Sequence, residues 1–296
     1  MLDTVQPLAA ATPDTVAIRT QLLDLERGGQ SALTGITLNI PAGAVVGLVG
    51  RNGAGKTSLL HCLAGLAQPT HGQAWLLGCP VSAQTDAVRD RLGYVAQSAD
   101  LFEWMTVEQM LRTIGSAYSR WTWERALALS AQMELRLSAP IGALSGGDQQ
   151  KLAVVLALAH DPDVLLLDEP VASLDPLTRR QFMRALFARA DDPAGHDATP
   201  ERARTVVISS HLLHDLERVV SHVAFIRTGR LQLFDAWDAL AESLRRVDDT
   251  VAVPAQALVC RNDSARRCVV DVRHAPALAG VGTALTLDEL FLELNA

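Results

Sequence analysis

The run GLVGRNGAGKTSLL, residues 47–60, constrains the fold of this chain more than any other stretch. The valine-rich residues AVVGLVG that lead into it have the character of a short buried strand. RNGAG follows as a turn, and KTSLLHCLAGL then places Leu59, Leu60, Leu63 and Leu66 at helical spacing. A strand that breaks into a glycine loop and opens a helix is the context in which G-x-x-x-x-G-K-[ST] becomes an anion cradle. Gly50 and Gly55 hold the ends of that pattern, and Lys56 and Thr57 complete it. Glycines let successive backbone N–H groups turn toward a phosphate chain, and the helix adds the positive end of its dipole. Taken alone, the run is also compatible with a glycine turn carrying a solvated lysine.

The lysine is conspicuous because the chain writes almost every other cation as arginine. Of 26 basic residues only Lys56 and Lys151 are lysines. The arginine excess reads as coding bias. At position 56 the chemistry favours a compact ammonium on a flexible stem, reaching between β- and γ-phosphates where a planar guanidinium fits poorly. Thr57 offers a hydroxyl to Mg²⁺.

A second apolar strand, in PDVLLLDEP, ends in Asp168 and Glu169. Ligands of open parallel sheets gather at the carboxyl ends of strands, so both acids would face the phosphates. Asp168 would hold Mg²⁺ or its water, and Glu169 would orient and polarise an attacking water. A helix N-cap is the alternative. Between the two strands lies IGALSGGDQQKLAVVLALAHDP, in which Ser145, Gly146 and Gly147 open a helix with Leu152, Val155, Leu156 and Ala159 on its apolar face. This is a second anion-binding helix start. It does not easily share a phosphate with the first loop inside one monomer, whereas a second copy could bring it.

Taken together, GRNGAGKT, LSGGDQQK, VLLLDEP, SLDP and VVISSH, in that order, resemble the nucleotide-binding subunit of an ABC transporter, from about Val16 to Asp235. The resemblance implies an α/β P-loop NTPase fold: a RecA-like parallel sheet core, an N-terminal antiparallel β subdomain and an inserted helical subdomain. It implies a head-to-tail dimer with two ATP, each between one subunit's lysine loop and the other's signature helix. Gly50, Arg51, Asn52, Gly53, Ala54, Gly55, Lys56, Thr57 and Ser58 would hold the triphosphate. Mg²⁺ would be held by Thr57, Gln97 and Asp168; Glu169, His211 and Gln97 would be catalytic. Ser145, Gly146, Gly147 and Asp148 would act in trans, and Asp175 would bridge the subunits. Arg27 stands where the family usually has an aromatic residue against the adenine, as a stacking guanidinium or as a solvated turn residue. Asp148 replaces the glutamine commonest in the signature, an acidic variant that occurs in the family.

The rest of the 296-residue chain is organised around this core. Residues 1–15 read as a mobile tail without the pattern of a signal peptide. Residues 16–235 form the ATPase domain, with the helical subdomain at about 98–158, and residues 236–296 a small α+β C-terminal domain. In the subdomain, Val107, Met110, Leu111 and Ile114 share one helical face, and Trp123, Ala126, Leu127 and Ser130 another; Trp121 and Trp123 read as core. Phe102, Trp104 and Met105 either form an apolar patch that receives a permease helix or are buried within the subunit. Residues 189–205 read as a surface loop. In the tail, TVAVPAQALVC and RRCVVDVR alternate like strands, and Thr286 caps a final apolar helix.

Composition excludes several classes. The net charge of −7 argues against a nucleic-acid surface, and the four cysteines lack metal spacing and read as reduced thiols. No run of about 18 apolar residues occurs, since HDPD breaks the stretch 152–167. The resemblance implies integral-membrane permease subunits and a second ABC ATPase subunit as partners, which would hold the chain on the inner face of the cell membrane. The tail, DLERVV and EWMTVEQML resemble ATPase subunits of bacterial exporters with separate permeases. The competing class is a non-transport ABC ATPase acting on a soluble or ribosomal partner. Those usually carry two such domains in one chain, whereas this chain has one lysine loop and one signature.

Overall fold

The computed structural model describes residues 16–171, 179, 182–183, 186, 204–210 and 213–296. The chain opens with a long hairpin, β1 (Val16–Arg27) and β2 (Gln30–Pro41), turned by Gly28 and Gly29, both at positive φ. With β4 (His71–Leu76) and β5 (Cys79–Pro80) it makes an antiparallel sheet of order β2-β1-β4-β5. One face of the hairpin buries Ile18, Leu23, Leu33 and Ile36.

The central sheet has six strands in the order β10-β9-β3-β8-β7-β6. Its members are β3 (Val45–Val49), β6 (Leu92–Val95), β7 (Val164–Asp168), β8 (Thr205–Ser209), β9 (His222–Arg227) and β10 (Arg230–Ala236). All neighbours run parallel except β10 on β9. Every residue of β7 and β8 is buried. Strands covered on both faces carry continuous apolar runs rather than alternation, which is why VLLLD and TVVIS take the middle of the sheet. Helix α1 (Lys56–Leu63) leaves the end of β3 and buries Leu59, Leu60 and Leu63.

After a single turn of helix, α2 (Asp86–Arg89), and β6 comes the helical region: α3 (Val107–Gly115), α4 (Trp123–Gln132) and α5 (Gly146–Leu158). Each start is capped by a hydroxyl. Thr106 forms a capping box with Gln109, Thr122 accepts from Arg125 N–H, and Ser145 accepts from Asp148 N–H. Helix α3 buries Val107, Met110 and Leu111 as its periodicity demands. In α4 the buried face is Ala126, Leu129 and Ser130, rotated from the expected set. Trp123 stays half-buried because it sits on the first turn, covered by the Arg112 guanidinium 4.1 Å from its ring.

Beyond β8 lie α6 (Leu213–Glu217), the β9–β10 hairpin and α7 (Trp237–Ser243). An antiparallel sheet of order β12-β13-β11-β14 follows, from β11 (Leu244–Asp248), β12 (Leu258–Asn262), β13 (Arg267–Asp271) and β14 (Thr283–Ala284). The TVAVPAQALVC segment supplies a shorter strand than its alternation predicts. Pro254 has no N–H for a ladder, and residues 255–257 close a 3₁₀ turn instead. The final helix, α8 (Leu287–Leu294), starts at a Thr286–Glu289 capping box.

This tail shares its core with the larger body. Leu287, Leu290 and Leu294 pack in one cluster with Leu213, Leu216 and Trp237. Polar ties reinforce the seam: Arg227 Nη1 donates to Leu294 O at 2.9 Å, and Arg273 Nη1 meets Asp235 at 2.8 Å. Among the described residues no helix is long and apolar enough to cross a membrane, and the four cysteines are free thiols.

Candidate functional site

Strand β8 lies between β3 and β7, so the loop after β3 and the acids ending β7 come together at one edge of the sheet. They enclose a cavity of about 380 Å³ lined by Ala32, Asn52, Gly53, Ala54, Gly55, Lys56, Thr57, Ser58, Gln97, Asp168 and Glu169. Gly50 and Arg51 are not part of that lining, but their carbonyls accept from Lys56 Nζ at 2.8 and 3.4 Å. Two glycines are required by contact. A Cβ on Gly50 would stand 2.4 Å from Ile226 O, and Gly55, at φ 110°, would bring one to 2.7 Å from Ala32 O.

Lys56 is 7% exposed, and its Nζ donates to Gly50 O at 2.8 Å and lies 3.9 Å from Glu169 Oε1. Burial pulls its pKa below the usual lysine value, and the charges of Glu169 and Asp168 oppose that shift. The ammonium is thus held inside the cradle by backbone carbonyls that a phosphate oxygen could replace.

The two acids behave differently. Asp168 Oδ1 accepts a hydrogen bond from Ser209 Oγ at 2.6 Å, while buried Oδ2 has no partner among the described residues. Thr57, Gln97 and Asp168 line the same cavity, and a hydroxyl, an amide oxygen and an unpartnered carboxylate oxygen are a hard-oxygen donor set of the kind that suits a small divalent cation. Glu169, one residue on, has φ 51° ahead of Pro170, a backbone conformation costly for a non-glycine residue. Its N–H donates to Ser209 Oγ at 2.9 Å and to Ser209 O at 3.2 Å, which holds the strained turn.

Ser209 is the residue that sequence reasoning missed. It is fully buried and fixes both acids, yet only the adjacency of β7 and β8 reveals it. Ala32 was missed for the same reason, since β2 reaches the cradle only through the tertiary fold.

The second anion-binding helix start is elsewhere. Ser145, Gly146, Gly147 and Asp148 open α5 at the surface and do not line the cavity. Ser145 Oγ donates to Asp148 Oδ2 at 2.9 Å, and Lys151 Nζ meets Asp148 Oδ1 at 3.0 Å. Partial burial would raise the Asp148 pKa, but the hydrogen bonds from Lys151 and Ser145 hold it below the usual aspartate value.

Arg27 ends β1 outside the cavity lining, with Nη2 3.1 Å from His61 Nδ1 on the last turn of α1. Burial and then the Arg27 charge lower the His61 pKa, so a neutral imidazole accepts from the guanidinium. Phe102 and Trp104 are exposed and stacked, their rings 5.0 Å apart at 24°, and Trp104 is 78% exposed. Met105 beside them packs against the core. His211 and Asp175 lie outside the described residues.

The profile of the ABC transporter family matches residues 33–172. A Nod factor export ATP-binding protein I of Burkholderia lata is 34% identical over 224 residues, covering 73% of this chain and 69% of the relative. A protein of the same description from Neorhizobium galegae is 25% identical across 98% of this chain and 88% of its own. A probable multidrug ABC transporter ATP-binding protein of Escherichia coli is 32% identical across 74% of this chain, though only 37% of its own length is covered. Among solved structures, an ATP binding subunit of an ABC transporter superposes with TM-score 0.72 at 23% identity, covering 95% of this chain and all of the other. A dimeric ATP-binding cassette in a post-hydrolysis state with ADP and Pi gives 0.63 at 23% identity, covering 74% of this chain and 98% of that one. These last two likenesses bear on the fold: the P-loop architecture with its antiparallel and helical additions. With the Burkholderia lata relative 34% identical and matched over 69% of its length, the chain belongs to the ABC transporter family, as an ATP-binding subunit and an ATPase.

Proposed function

We propose that this chain is the motor subunit of an exporter, closing head-to-tail with a second ATPase subunit around two ATP and driving a separate membrane permease. The observation that carries the reading is the separation of two phosphate-binding helix starts. One is folded into a cradle with Lys56, Asp168 and Glu169, and the other faces solvent at Ser145 and Gly146. A head-to-tail partner would bring its exposed start to the γ-phosphate lying in this cradle.

Within the cradle, the amides of residues 50–58 would hold the phosphates. Lys56 would exchange its carbonyl contacts for β- and γ-phosphate oxygens. Thr57, Gln97 and Asp168 would hold Mg²⁺, which when bound spreads the charge developing on the γ-phosphoryl group. Glu169, kept in place by Ser209, would accept a proton from the attacking water as the bond from γ-phosphorus to the bridging oxygen breaks. His211 would contact the γ-phosphate, Asp175 the partner subunit, and Arg27 the base. The Phe102–Trp104 stack beside Met105 would receive the permease helix, which supplies the apolar cover that an exposed tryptophan otherwise lacks. Export is favoured by the relatives described as export and multidrug ATP-binding proteins.

The test uses Glu169→Gln, incubated with ATP and purified from its own cell membranes, with mass spectrometry of what accompanies it. Turnover should fall about 10²–10⁴-fold, ATP-bound dimers should accumulate, and a polytopic membrane protein should copurify. Near-normal turnover would remove Glu169 as the base. Ribosomes or soluble factors as the only companions would make the transport assignment wrong.

A further inference from the structure

Helix α5 begins at the signature and β7 ends at the two acids, and residues 160–163 join the far ends of both. The connection is a corner whose two arms carry the two halves of the ATP site. At 13 residues, α5 puts the corner about 20 Å from the signature. The five residues of β7 put it about 17 Å from Asp168.

The corner is held by charge from both sides. Asp161 is a non-glycine residue at φ 52° and 7% exposed. From the sheet side, Arg204, just ahead of β8, donates to Asp161 Oδ1 at 2.8 Å and to Pro162 O at 2.8 Å. Arg91, ahead of β6, meets Asp163 Oδ2 at 2.6 Å. From the helical side, Arg125 on α4 donates to the same Asp161 Oδ1 at 3.2 Å and to Leu158 O at 3.2 Å. Arg120, between α3 and α4, meets Asp163 Oδ2 at 3.0 Å and Asp161 Oδ2 at 3.6 Å. Two neighbours tighten the seam: Ser119 donates N–H and hydroxyl to the Asp90 carboxylate, and Tyr118 stacks on buried His160 at 4.0 Å.

We propose that Arg120 and Arg125 are positioning residues for hydrolysis. By gripping Asp161 and Asp163 they set the angle at which the helical region presents the signature, relative to the acids on β7. The inference rests on the head-to-tail reading above. Guanidinium forks suit the task because they bind carboxylates with fixed planar geometry. The lever is long: a rotation of about 5° at the corner moves a tip 20 Å away by nearly 2 Å, and misplacement of about 1 Å can cost on the order of 10²-fold in rate. Removing the two helical-side arginines leaves Asp161 on Arg204 and Asp163 on Arg91, so neither carboxylate loses every cationic partner. The loss should fall on orientation rather than on folding.

The experiment compares Arg120→Ala/Arg125→Ala with Arg91→Ala, which touches the same Asp163 from the sheet side alone. For the double variant kcat should fall about tenfold while KM for ATP stays within about twofold. The Arg120→Lys/Arg125→Lys pair should regain part of the rate, and Arg91→Ala should turn over like the parent. In the Glu169→Gln background, the double variant should form less dimer than the parent in gel filtration at saturating ATP. If it is poorly folded by thermal melting, Arg120→Ala alone, at a side chain 35% exposed, carries the same comparison. Unchanged kcat and dimerisation in a folded variant would overturn the inference, as would equal loss in Arg91→Ala. A Glu169→Gln parent that stays monomeric with ATP would instead remove the head-to-tail reading, and the corner's role with it.

Discussion

The two glycine-bearing helix starts use the same backbone device and stand in opposite surroundings. At the start of α1 the loop is pressed against the chain: Gly50 faces Ile226 O, Gly55 faces Ala32 O, and Lys56 is buried between carbonyls and Glu169. At the start of α5 a Cβ on Gly146 would meet nothing within 4 Å, and the polar side chains satisfy one another through Ser145, Asp148 and Lys151. Gly50 and Gly55 of the first loop are explained by contacts inside the molecule, and Gly53 by its φ of 78°. Gly146 is not, and its missing side chain makes sense as room for something from outside. One start is enclosed by its own chain, and the other is open to solvent.

Three substitutions would break or sharpen this contrast. Lys56→Ala should have the largest effect, because it removes a charged donor and leaves Glu169 and Asp168 facing a phosphate chain without it. ATP affinity should fall about 10- to 100-fold by calorimetry, in line with roughly 1.5–3 kcal/mol for hydrogen bonds to charged groups. Unchanged affinity would mean that the cradle is not the nucleotide site. Gly146→Ala should leave melting temperature and the ATP affinity of the monomer alone, yet reduce ATP-driven dimerisation and turnover about tenfold, as a methyl group intrudes on a closed interface. If it turns over normally, the open space above Gly146 is not filled by a partner. The smallest effect is expected for Asp148→Asn, which removes a carboxylate from the first turn of α5 and should cost about 0.5 kcal/mol at pH 7. Because the folded-state pKa of Asp148 lies below the ordinary 3.8, its contribution is fully present above that value and lost as the pH falls through the depressed one. Melting curves of the variant and parent should therefore converge in strong acid. A gap that persists there would assign the loss to something other than the charge.

Much of the site was legible because its parts are local. GRNGAGKT carries its own strand, turn and helix start, and VLLLDEP announces a strand covered on both faces by having no polar alternation. The cap at Thr286 marked the last helix start, whereas the capping box at Thr106 appeared only in the structure. Other features were not legible. Strand β11 follows α7 without a turn signal, and Pro254 shortened a segment whose alternation promised a longer strand. In α4, Leu129 rather than Leu127 faces the core, because the neighbours that choose the buried face come from other helices.

The sequence by itself determined where the glycine loop, the helix starts and the strand-end acids lie, because backbone conformation and side-chain type act over a few residues. Only the tertiary structure decided which of them meet. Strand order put Ser209 beneath Asp168 and Glu169, brought Ala32 to the back of the loop, and set Asp168, its Oδ2 without a partner among the described residues, in one cavity lining with Thr57 and Gln97. It also left Ser145, Gly146, Gly147 and Asp148 outside the cradle's lining, and drew Arg120, Arg125 and Arg204 onto Asp161 from separate parts of the sequence. Pairings of that kind depend on how strands and helices pack across dozens of residues, and a local pattern holds no information about them.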